Sequence, residues 1–175
     1  MKLNSHQLRK SRVGESAKHK NSSTHHPLVL VLDQVLDTYN IGSFFRLAEA
    51  LNVEKLCLCG PVVTPPNLKI HRASIGTWKW VNWQQYNSTI DCLRDLKKAG
   101  YQIVACEQGP KTVNYQQAKY QFPLAIIAGS ESNGISKDVL SLCDQIIEIP
   151  MYGVNISLNV LVATAIISFD AVSKI

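Results

Sequence analysis

Ile149-Pro-Met-Tyr-Gly153-Val-Asn-Ile-Ser157-Leu-Asn159-Val-Leu-Val-Ala-Thr-Ala-Ile166 is the stretch around which the chain is organised. A short apolar run breaks at Pro150, loops past Gly153 and re-enters a helix, because proline removes a backbone donor and glycine frees the turn. From Leu158 to Val172 nearly every position is apolar; Asn159, Thr164, Ser168 and Asp170 are the exceptions. A helix apolar on all sides is expected to be buried, and this one is too short to cross a membrane. Ser157 is the expected N-cap, its hydroxyl accepting from unpaired amides of the first turn. Polar Ser157 and Asn159 then stand at the mouth of an apolar element.

Outward from that stretch, the chain alternates strands and helices. Leu28 to Leu32 and Leu124 to Ala128 are continuous apolar runs, the habit of strands covered on both faces. Leu56 to Cys59, residues near Val81 to Trp83, Gln102 to Cys106 and Gln145 to Ile149 complete the expected strands. Ile41 to Leu51 carries helical apolar spacing with Arg46 on its other side. A second helix has Ser88 as N-cap, Lys97 and Lys98 in its last turn and Gly100 as stop. Ser136 is expected to cap a third, running to about Cys143. Pro65-Pro66-Asn67 predicts no regular structure just beyond, and Glu107 to Gln121 reads as loop. The fold class is therefore α/β with a mostly parallel sheet.

The 175 residues fit one domain, 27–175, behind an N-terminal tail over 1–26. The tail holds six basic residues, Lys10 and Arg12 among them, against Glu15 alone, whereas 27–175 is formally neutral. The net charge of +5 thus resides wholly in the tail. That distribution suits an arm attracted to polyanions such as RNA, or a solvated tail that is mobile without a partner, with a short helix near Ser5 to Arg12. No signal-peptide pattern or 18-residue apolar run is present, so a cytoplasmic, non-membrane protein is expected. Five cysteines without a C-x-x-C pair read as small hydrophobes in a reducing compartment, and no zinc-ligand spacing exists.

Three polar segments follow strands: Asp37 to Arg46, Gly129 to Ser136 and Gly153 to Asn159. Parallel sheets bind ligands beyond the carboxyl ends of their strands, so these segments are expected to share one edge. They offer Asn40, Arg46, Glu131, Ser157 and Asn159, a set suited to positioning and charge stabilisation. Neither a P-loop nor a dinucleotide fingerprint is present, and no Ser/His/Asp triad can form with His71 the only core histidine. Residues 69–80 combine Lys69, Arg72 and Lys79 with two tryptophans, a mixture that stacks bases and holds phosphates or packs against a sheet edge.

Asn40-Ile-Gly-Ser-Phe-Phe-Arg46-Leu-Ala48, Gly129-Ser-Glu131-Ser-Asn-Gly134-Ile-Ser136 and Ile149 to Val160 resemble the three ordered motifs of the SpoU/TrmH-type RNA ribose 2'-O-methyltransferases. The likeness covers 27–172. Residues 71–81, with Ile75, Gly76, Thr77 and Trp80, resemble a further segment of TrmH-like members. Departures are Ser132, Phe44-Phe45 and Leu161, none of which removes a polar candidate.

The resemblance implies the SPOUT α/β fold with a C-terminal trefoil knot. It also implies a bent S-adenosylmethionine wrapped by Gly129, Ile149, Met151, Ser157 and Leu158, and a homodimer in which Arg46 faces the partner's methyl donor. Within it, family proposals make Arg46 the base. A guanidinium with pKa above about 12 is better read as a fork on phosphate and alkoxide, with Asn40 and Glu131 orienting it and Ser157 and Asn159 near the ribose. RNA contacts are expected from Lys10, Arg12, Lys69, Arg72 and Lys79, and tRNA stands ahead of rRNA as substrate. The alternatives are a noncatalytic RNA-binding knotted dimer and a nucleotide-binding α/β module unrelated to RNA.

Overall fold

A computed structural model describes residues 3–10 and 25–175. Seven strands form one sheet in the order β3-β2-β1-β6-β4-β7-β5. They are β1 His26–Asp33, β2 Val53–Cys59, β3 Trp83–Tyr86, β4 Gln102–Cys106, β5 Val113–Asn114, β6 Leu124–Ala128 and β7 Gln145–Glu148. All six pairings are parallel.

The helices are α1 Ser5–Lys10, α2 Thr38–Ala50, α3 Leu68–Ser74, α4 Thr89–Lys98, α5 Lys137–Leu140 and α6 Val160–Val172. Alternate residues of the apolar runs feed two cores. Leu28, Leu30 and Leu32 pack with α2 and α6, whereas Val29 and Val31 pack with the α4 side. Period-two side-chain alternation with helices on both faces accounts for uninterrupted runs.

Several local expectations shift. Asn159 rather than Ser157 caps α6, its Oδ1 accepting from the backbone N of Leu161 at 3.0 Å and of Val162 at 3.4 Å. Regular structure begins directly after Pro66, since Asn67 caps α3 through the N of Lys69 and Ile70; the side-chain cap outweighs the proline pair. β3 lies two to three residues later than expected, α5 is a single short turn, and 107–121 contains β5 and a 3₁₀ turn over Tyr115–Gln117. Helix α6 is only half covered: Thr164, Ile167, Ser168 and Ala171 are buried, but Val162 and Phe169 remain 45% and 54% exposed.

Register is what builds a site. Leu32 pairs with Ala128, Ala128 with Cys106, and Cys106 with Ile147. The loops leaving β1, β6, β4 and β7 therefore start at one level of one edge. The order also reverses between β1 and β6, since β1 leads to β2 on one side while β6 leads to β7 on the other. Such a switch point opens a crevice.

Candidate functional site

Asp37 caps α2 by accepting from Tyr39 N at 2.9 Å, which fixes Asn40 in the first turn. Asn40 Nδ2 donates to Glu131 Oε1 at 2.6 Å, and Asn159 Nδ2 donates to Asn40 Oδ1 at 3.2 Å. One hydrogen-bonded chain thus joins the three polar segments. Its direction is determined by the cap: the Asn159 oxygen is occupied by α6 amides, so its NH2 must face Asn40. Asn40 then accepts with its oxygen and turns its NH2 to the carboxylate. A carboxylate beside the first turn of α2 also suits the helix dipole.

Beside this chain lies a cavity of about 480 Å3. Gly129, Ile149, Ser157 and Leu158 line it, as do Glu131 and Asn159; Met151 and Asn40 do not. Gly129 is held against the far end of its own loop. A Cβ there would lie 2.6 Å from the Gly134 carbonyl carbon and 2.7 Å from Ile135 N. The loop is further pinned by Gly134 N donating to Ser130 O at 2.8 Å.

Glu107 went unnoticed in the sequence. It follows β4, lines the cavity, and its Oε2 accepts from Ile135 N at 2.9 Å. Gly134, at φ +63°, passes so close that a Cβ would meet this oxygen at 2.5 Å. An acidic residue at the carboxyl end of a parallel strand was the available signal. Burial, then Glu107, pushes the neighbouring Cys106 thiol up to about 12, so this cavity cysteine is no nucleophile at neutral pH.

Arg46 stands apart. It is exposed on a stripe of α2 with Tyr39, half-buried Ser43 and Ala50, and makes no hydrogen bond or ion pair among the described residues. Asn40 and Glu131 orient each other and do not touch it. Lys69 and Arg72 project from α3, and Lys79 Nζ donates to Arg9 O of α1 at 3.3 Å. Arg12 lies outside the described residues. All five cysteines are free, and no three His, Cys, Asp or Glu gather as a metal site among the described residues. Within the same residues, no helix is long and apolar enough to cross a membrane.

The SpoU rRNA methylase family matches residues 27–169. A tRNA (guanosine(18)-2'-O)-methyltransferase of Aquifex aeolicus is 32% identical over 82% of this chain and 68% of its own length. The 23S rRNA (guanosine-2'-O-)-methyltransferase RlmB of Vibrio parahaemolyticus is 35% identical over 85% of this chain and 60% of its own. The crystal structure of an AdoMet-bound rRNA methyltransferase from Sinorhizobium meliloti superposes with a TM-score of 0.81 at 25% identity, covering 96% of this chain and 60% of that one. The chain thus spans about two thirds or less of these proteins. By sequence and by fold, it belongs to the SpoU rRNA methylase family.

Proposed function

We propose that this chain transfers a methyl group from S-adenosylmethionine to a ribose 2'-hydroxyl of RNA, tRNA ahead of rRNA, and works as a homodimer. The observation that carries the reading is the Asn159–Asn40–Glu131 chain at the rim of the Gly129 cavity. It brings the three family-like segments onto one switch-point edge, and relatives of both RNA classes are named as 2'-O-methyltransferases.

The residues fit the methyl donor. A volume of about 480 Å3 lies within the ~300–1,000 Å3 of ligand pockets, and Gly129, lacking a Cβ, lets the 129–135 loop close on itself at the cavity wall. Gly129, Ile149, Ser157 and Leu158 would hold it, with Met151 flanking the same loop. When bound, S-adenosylmethionine supplies an electrophilic sulfonium methyl group. The protein's own part is to place the ribose and stabilise charge on its 2'-oxygen as the proton leaves. Asn159 and Ser157 stand at the rim to orient the ribose, while Asn40 holds Glu131 in place beside them.

Arg46 acts as a fork for phosphate and developing alkoxide, reaching the cavity of a second copy. Exposed Val162 and Phe169 on α6, with Tyr152 and Ile156 at 93% and 80% on the preceding loop, give that copy an apolar surface to cover. The trefoil knot belongs to the same proposal. Strand β7 lies outside β4, yet α6 returns to pack on β6, β4 and α2, the path that a threaded C-terminus would take.

Labelled methyl transfer from S-adenosylmethionine to purified tRNA and rRNA, for wild type and Arg46→Ala, tests the proposal. Alkali-resistant label in one pool, lost in the variant, supports it. Absence of label while donor and RNA both bind would favour the noncatalytic RNA-binding dimer.

A further inference from the structure

We propose that α1 is a docked arm seated on Gly76, and that arm and seat form one composite surface for RNA phosphates. The proposal rests on the RNA-substrate reading above and assigns it a place on the molecule. A six-residue helix is too short to persist alone in water. This one is closed by reciprocal caps, Asn4 N donating to Gln7 Oε1 at 2.9 Å and Gln7 N to Asn4 Oδ1 at 3.0 Å.

Its seat is specific. Gly76 has φ +91°, and a Cβ there would lie 2.6 Å from Leu8 O and 3.2 Å from Arg9 Cα. Only glycine permits both that backbone angle and that approach. Lys79, three residues on, donates to Arg9 O, a cation at the carboxyl end of the arm. Trp78 Nε1 donates to His71 Nδ1 at 3.1 Å, tying the 3₁₀ turn over Thr77–Lys79 back to α3.

Docking gathers like charges. Arg9 and Lys10 on the arm join Lys69 and Arg72 of α3 and Lys79 of the turn, and neither 3–10 nor 61–82 contains a carboxylate. After burial, Lys79 and Arg9 are what hold His71 below its ordinary pKa, so the field of arm and turn together reaches this side chain. A polyanion relieves that repulsion, and RNA phosphates are the polyanion the function supplies.

Binding of tRNA to the full-length protein, measured across a salt series, tests the proposal alongside hydrogen exchange of residues 5–10. Replacing Arg9 and Lys10 by Gln, a surface change that leaves the fold alone, should flatten the log–log salt slope by about 1.4, two phosphates at roughly 0.7 each. Gly76→Ala should expose the α1 amides to exchange and flatten the slope similarly. Combining the changes should add nothing further. The proposal is overturned if Gly76→Ala leaves α1 protected, if α1 is released with the slope unchanged, or if the losses add. A wild-type protein that binds donor but no RNA at any salt would instead remove the substrate reading itself, and this proposal with it.

Discussion

Removing Asn40 should uncouple the three loops of the site. Its NH2 meets a carboxylate at 2.6 Å and its oxygen accepts at 3.2 Å from Asn159. A hydrogen bond to a charged group contributes about 1.5–3 kcal/mol and a neutral one about 0.5–1.5 kcal/mol. Glu131 and Asn159 are exposed, so the low end applies, about 1–2 kcal/mol for Asn40→Ala. For a chain of this length that is a fall in Tm of about 2–8 °C. Asn40→Asp has nearly the same shape and keeps an acceptor toward Asn159, but it sets a second carboxylate against Glu131. It should therefore lose more stability than the alanine variant. A double-mutant cycle with Glu131→Ala, read by denaturant unfolding, should give a coupling of about 1 kcal/mol. In methyl-transfer assays kcat should fall while donor affinity stays, since Asn40 does not line the cavity. Coupling below about 0.3 kcal/mol, the scatter of independent sites, or an Asp variant as stable as wild type would refute the reasoning.

Gly129→Ala should force the 129–135 loop to move, because the new Cβ meets backbone at 2.6–2.7 Å. Overpacking of about 1–3 kcal/mol and loss of S-adenosylmethionine binding by calorimetry are expected, whereas Gly153→Ala, with nothing within 4 Å, should leave both unchanged. His71 is held below its ordinary 6.5, first by burial and then by Lys79 and Arg9. Between the depressed native value and 6.5 the unfolded chain binds more protons, so stability should rise with pH through that window. Denaturation midpoints compared across it should flatten in His71→Gln.

The alternation of apolar runs with capped helices was enough to specify an α/β sheet, since each signal is local: period two for strands, period 3.6 for helices, caps at their ends. β4 and β6 fall at the expected residues because a strand buried on both faces has no ambiguity of register. The α6 cap went to Asn159 over Ser157 because both are good caps, and only the neighbouring loop decides between them. That Gly129, Glu131, Ser157 and Asn159 would stand together was legible too, since their polar segments leave strand ends; these four line the cavity, whereas Met151 does not.

Which of them meet was not legible. Asn40 finds Glu131 91 residues away and Asn159 119 residues away, distances at which sequence spacing carries no contact information. Glu107 looked like loop until Gly134 closed over it, and Arg46, expected to be oriented by Asn40 and Glu131, is touched by neither because those two bond each other. The seat of α1 is the plainest case. Gly76 alone signals only a turn, and it becomes a binding surface when the fold brings Leu8 within 2.6 Å of its missing Cβ. Local chemistry determined the elements and the candidate residues; the parallel register and strand order, set by burying both faces of the sheet at once, decided which of them act together.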